Sequence, residues 1–112
     1  MSNYNLIYAT AASRDEALSL GRALVEARLA ACANVLPGMV SVYWWEGKVE
    51  QGDEAVLVLK TRAELVEAAT ARLRALHSYA CPCVVALPIV AGNPDFLAWI
   101  GAETQGAGGT AA

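Results

Sequence analysis

The run VSVYWWEGKVEQGDEAVLVLK, residues 40–60, decides the fold. Val40 to Trp45 and Lys48 to Lys60 are two β-rich stretches separated only by Glu46-Gly47, a pair suited to a tight hairpin turn. Upstream, Asn5 to Thr10 reads as a buried strand. Ser13-Arg14-Asp15-Glu16 follows with the S-x-x-E form of a capping box. Leu18, Gly21, Val25 and Leu29 then share one helical face, which predicts a helix down to about Ala30 and a strand from Cys32. Downstream the plan repeats: Thr61-Arg62-Ala63-Glu64 is a second capping box, and Leu65, Ala69, Leu73 and Leu76 mark the inward face of a second helix. Val84 to Ile89 is a final strand.

Two strand–helix–strand units joined by a hairpin predict an α+β, ferredoxin-like βαββαβ sandwich. Its antiparallel sheet, of strand order 4-1-3-2, carries both helices on one face and leaves the other uncovered. The hairpin is too long for its own helices, and the cheapest cover for it is another copy of the chain. Tyr43, Trp44 and Trp45 accordingly read first as packing residues and second as a stacking surface for a ligand. Gly92-Asn93-Pro94 is a turn, Asp95 to Ile100 a short helix, and the small-residue stretch GAETQGAGGTAA a mobile tail. The chain is thus expected to form one domain over residues 1–103, with a tail over 104–112.

Composition agrees with a single compact domain: 112 residues, 56% of them hydrophobic and 17% charged. The net charge of −3 and the small Arg72/Arg74 pair lack the basic footprint of a nucleic-acid binder. No run approaches the ~18 apolar residues of a membrane helix, and the N-terminus lacks the charged region of a signal peptide. A cytoplasmic protein bound to neither nucleic acid nor membrane is expected. Three cysteines are too few for a disulfide framework, so reduced thiols are the better assumption.

Those thiols cluster in HSYACPCVVALP, residues 77–88, with the only histidine. Imidazole and thiolate together suit copper or zinc, and Cys81 and Cys83, two apart in extended chain, point to one side. Pro82 disfavours helical geometry at Cys81, so His77 and Cys81 are not helical neighbours. A structural zinc needs four ligands, and Cys32, His77, Cys81 and Cys83 are the only soft candidates. Cys32 opens one edge strand and Cys83 the opposite edge strand, so the two meet only across subunits. A redox role is weaker, since C-x-C is not C-x-x-C. The bland reading makes Cys81 and Cys83 small hydrophobes at the start of a buried strand. Phosphate-binding and hydrolase motifs are absent, which favours a protein that is not an enzyme.

AACANVLPG (30–38), YWWEGKVE (43–50), LKTR (59–62), LHSYACPCVVALPI (76–89) and GNPDFLAWI (92–100) together resemble, in order, the CutA divalent-cation tolerance family. The resemblance implies a homotrimer similar in architecture to PII signalling proteins, cytoplasmic, without established catalysis and linked to copper tolerance and the response to metal ions. It implies intersubunit clefts in which Cys32 and His77, joined here by Cys81 and Cys83, bind copper or another soft metal. No cofactor is required; copper and zinc are the candidates. Lys60, Tyr79, Tyr43 and Trp45 are the corresponding ligand-binding residues, with Lys60 placed to meet a small anion. The alternative implied is a PII-like interaction module that takes such an anion or a partner segment. The loop departs from the family's H-x-Y-E-x-P-E pattern, with Ala80 and Cys83 at the acidic positions, which shifts preference from hard ions toward copper or zinc.

Overall fold

A computed structural model describes residues 3–106. The elements run β1 (Tyr4–Ala11), α1 (Arg14–Glu26), β2 (Cys32–Trp45), β3 (Lys48–Arg62), a 3-10 turn (Ala63–Leu65), α2 (Val66–Leu76), β4 (Val84–Pro88) and α3 (Pro94–Glu103). All strand pairs are antiparallel, in the order β2-β3-β1-β4. This is the ferredoxin-like arrangement expected from the tandem repeat.

The two central strands alternate strictly. Ile7, Ala9 and Ala11 of β1 and Ala55, Leu57 and Leu59 of β3 point to the helical side, where Leu20 and Leu24 of α1 and Ala69 and Leu73 of α2 close over them. Each buried leucine there contributes about 1.5–3 kcal/mol relative to exposure. α1 lies so close to the sheet that a Cβ on Gly21 would stand 2.9 Å from the Ala33 Cβ.

Ser13 caps α1 by accepting from the Glu16 N–H at 3.1 Å, while the Glu16 carboxylate reaches back one residue further than a capping box requires, to the Ala12 N–H at 2.9 Å. The helix ends at Glu26, short of the expected Ala30. Arg28 turns left-handed (φ 63), Arg28 N–H donates to Val25 O and Leu29 N–H to Leu24 O, which is a Schellman ending. Leu29 is buried because it folds back under the helix, not because it continues it.

The second capping box does not form. Thr61 is still inside β3, opposite Asn5, and its side chain is directed into the interior, so it cannot turn to cap a helix. Glu64 pairs with Arg62 at 2.6 Å instead, and α2 begins at Val66 with no side-chain cap.

β1 pairs with β3 only as far as Ala11 opposite Ala55, yet β2 and β3 stay paired out to Trp45 opposite Lys48. The excess is a two-stranded ribbon that leaves the sheet at a register shift between Leu36 and Met39, where Gly38 takes φ 80. At its tip Glu46 and Gly47 both have positive φ (49 and 81), as a type I′ turn demands. α3 is longer than expected at both ends. Asn93 caps it by accepting from the Asp95 N–H at 3.0 Å, Pro94 fills its first turn, and it runs to Glu103. Thr104, assigned by sequence to the tail, is buried and held by two bonds from Arg62, both 2.9 Å; residues 107–112 of that tail lie outside the described residues.

Candidate binding cleft

His77 leaves the end of α2 in extended conformation, so it is not a helical neighbour of Cys81, and its side chain is fully buried. Its Nε2 lies 2.7 Å from the Thr10 carbonyl, and its Nδ1 accepts from the Tyr79 N–H at 3.0 Å. A carbonyl can only accept and an N–H can only donate, so the ring is the neutral Nε2–H tautomer with both nitrogens engaged. Glu16 secures the same turn, taking the Ser78 N–H at 2.9 Å with one oxygen while the other holds Ala12. Histidine and glutamate together pin the 77–83 loop to the end of β1.

That anchoring places Tyr79. Its hydroxyl donates to Glu54 Oε2 at 2.8 Å, while Ser41 donates to Oε1 at 2.6 Å. Burial, then the bond to Glu54 and its charge, pushes the Tyr79 phenol up to about 12, so it remains a donor at neutral pH. Burial also raises the Cys83 thiol, with the Glu54 charge adding to it and a bond to Thr10 opposing it. A metal at Cys83 must displace a proton that burial and Glu54 favour.

These groups face a cleft of about 620 Å³ on the uncovered side of the sheet, where the ribbon bends away. Tyr8, Thr10, Ser41, Val42, Tyr43, Trp45, Glu54, Tyr79, Cys81 and Cys83 line it. Five of the eight residues singled out by sequence thus meet: Tyr43, Trp45, Tyr79, Cys81 and Cys83. His77 stands behind them as the support of the loop. Cys32 and Lys60 lie elsewhere, opposite each other across β2 and β3, with Lys60 level with Leu6 on β1, about 13 Å along the strand from Thr10. The Lys60 ammonium donates to Asn34 at 2.7 Å and sits 5.7 Å from the centre of the Phe96 ring. Among the described residues no three His, Cys, Asp or Glu side chains converge at metal-binding geometry.

Glu54, Ser41 and Glu16 escaped sequence reasoning as site residues. The one available signal for Glu54 was a carboxylate next to Val56 and Val58 on one face of β3, beside the turn into the ribbon.

A family model described as CutA1 divalent ion tolerance protein matches residues 5–103. The rice protein named CutA 1, chloroplastic, is 41% identical over 100 residues, which is 89% of this chain but 56% of the rice protein, so the chain spans about half of that relative. Among solved structures, CutA from Xylella fastidiosa superposes with a TM-score of 0.90 at 43% identity, covering 93% of this chain and all of the other. The periplasmic divalent cation tolerance protein CutA from Archaeoglobus fulgidus gives 0.88 at 41% identity, over 91% and 99% of the two chains. No described helix is long and apolar enough to cross a membrane.

Proposed function

Since the chain belongs to the CutA1 divalent ion tolerance family, we propose that it acts in metal tolerance as a cytoplasmic homotrimer that binds a soft ion, copper above all, in the cleft beside Cys81 and Cys83. The observation that carries this reading is the convergence of both thiols on one cavity that also holds the Glu54 carboxylate. Thiolate ligands select Cu(I), which two of them satisfy, whereas a structural zinc site asks for four protein ligands. Two thiols line the cleft, which suits copper better than a zinc site of four protein ligands.

Within one chain neither His77 nor Cys32 lines this cleft, and Cys32 would have to reach it from a neighbouring subunit. The first has both ring nitrogens bonded to backbone, and the second opens the far end of β2. The anion-binding alternative loses ground for a related reason: among the described residues Glu54 is the only charged one lining the cleft, and Lys60 does not line it. The trimer is supported by the half-exposed Leu36, Val85 and Leu87 on the open sheet face, which call for a cover. Three unbridged cysteines suit a reducing compartment. The role requires no catalytic step.

Native mass spectrometry of the reduced protein, with and without Cu(I), tests the reading. A trimer that takes up three copper ions, and loses them in Cys81→Ser/Cys83→Ser, is the expected result. A trimer indifferent to Cu(I) would remove the metal site, and any other assembly would remove the trimer.

A further inference from the structure

The same cleft has walls that a metal ion would not use. Tyr8, Tyr43, Trp45 and Tyr79 all line it, and its volume, about 620 Å³, is that of a small-molecule pocket rather than an ion cage. Glu54 is held there by two neutral hydroxyl donors, and none of the ion pairs among the described residues includes it. Two donors orient a carboxylate without cancelling its charge. A carboxylate accepts about four hydrogen bonds, so Glu54 retains capacity for a ligand. Aromatic faces attract cations through the ring quadrupole, and more strongly where water is partly excluded.

We propose that the cleft binds a small organic cation, an ammonium or guanidinium group on an apolar stem, with Glu54 as counter-ion and Tyr43, Trp45 and Tyr79 as its aromatic walls. An anion would meet the one charge in the cleft with the wrong sign. A neutral apolar ligand would strip water from Glu54 and return nothing for it. A hydrated inorganic ion would leave the aromatic walls unused. The cation answers all three, and the thiols are not needed for it.

The test is a titration of the isotope-labelled full chain, followed by NMR, with three ligands that share one ring: benzylamine, benzyl alcohol and benzoate. Benzylamine should shift the amides of Glu54 and of residues 79–83 saturably, and benzyl alcohol should bind at least about tenfold more weakly, the usual margin for a hydrogen bond to a charged group. Benzoate should not compete. Glu54→Gln should reduce the amine to the level of the alcohol. Trp45→Leu, which leaves the Glu54 hydrogen bonds intact, should weaken the amine several-fold, and the amide spectrum reports whether each variant is folded. Cys81→Ser/Cys83→Ser should keep amine affinity within about twofold, which separates this site from copper binding: either can fail while the other stands. Equal binding of amine and alcohol, preference for benzoate, no saturable amine shift, or an amine affinity indifferent to Glu54→Gln would overturn the proposal.

Discussion

Glu16 does three jobs with two oxygens: it closes the N-terminus of α1, holds the Ser78 N–H, and stands 3.8 Å from the His77 ring. Burial alone would raise its carboxyl, but the bonds from Ala12 and Ser78 outweigh this and bring it below the usual 4.5. As pH falls, the unfolded chain therefore takes up this proton before the folded one does. The stabilisation is complete above pH 4.5 and is lost as pH drops through the lowered value. Glu16→Gln should lower stability at neutral pH and flatten the acid loss below pH 4.5, as measured by urea unfolding across that range; an acid limb as steep as in the parent protein would show that Glu16 is not the group concerned. Glu16 also shows what sequence reading could and could not reach. Ser13 and Glu16 were legible as a cap because their partners are local. The Ser78 bond spans 62 residues, and the His77–Thr10 bond 67, so a lone histidine beside two cysteines reads as a ligand until the chain is folded. Tyr43, Trp45, Tyr79, Cys81 and Cys83 carry their chemistry in their type; Glu54 acquires its meaning from register.

Among the elements, the hairpin was the most legible, since Glu46-Gly47 between two β-rich runs admits few other structures. The two helix starts had the same four-residue signature and different outcomes. Ser13 is free of the sheet and can turn to accept, whereas Thr61 is fixed by its strand partner and buries a hydroxyl that has no hydrogen-bond partner among the described residues. Local propensity loses there to pairing along β3. Thr61→Val removes that hydroxyl at nearly constant shape, favours the strand, and should raise stability by about 1 kcal/mol. A drop in the denaturation midpoint of this variant would mean that the hydroxyl has a partner after all. The end of α1 was misread for a related reason: Leu29 keeps the helical period of apolar positions while the backbone, through the left-handed Arg28, has already reversed.

At the scale of the molecule, burial is lopsided. The helical side of the sheet is closed, but the open side shows Leu36, Val85 and Leu87 about half exposed, and the ribbon adds Val42 at 68% and Trp44 at 75%. A tandem βαβ pattern foretold that one face would lack cover, and no feature of the pattern says what covers it. Val85, on the edge strand β4, is directly opposite Tyr8 on that face. Val85→Asp should reduce the proposed trimer to smaller species in light scattering and lower its melting temperature, while an unchanged mass would place the subunit contacts elsewhere.

The ribbon also bears on how the chain acquires its structure. β2 and β3 are joined by two residues, whereas even the nearest partners of the other pairs, Ala11 with Ala55 and Ala9 with Val84, are far apart in sequence. Closing a two-residue turn costs far less chain entropy than closing loops of such length, and isolated hairpins form in about 1–10 μs. The β2-β3 pair is thus expected to form ahead of β1-β3 and β1-β4. Pulse-labelled hydrogen exchange should find the amides of Val42 to Glu50 protected ahead of those in β4. If the hairpin forms first, its exposed aromatic arm is presented before the rest of the fold, and Glu46, Lys48 and Glu50 at its tip place charge of the kind that keeps such strands from pairing with one another.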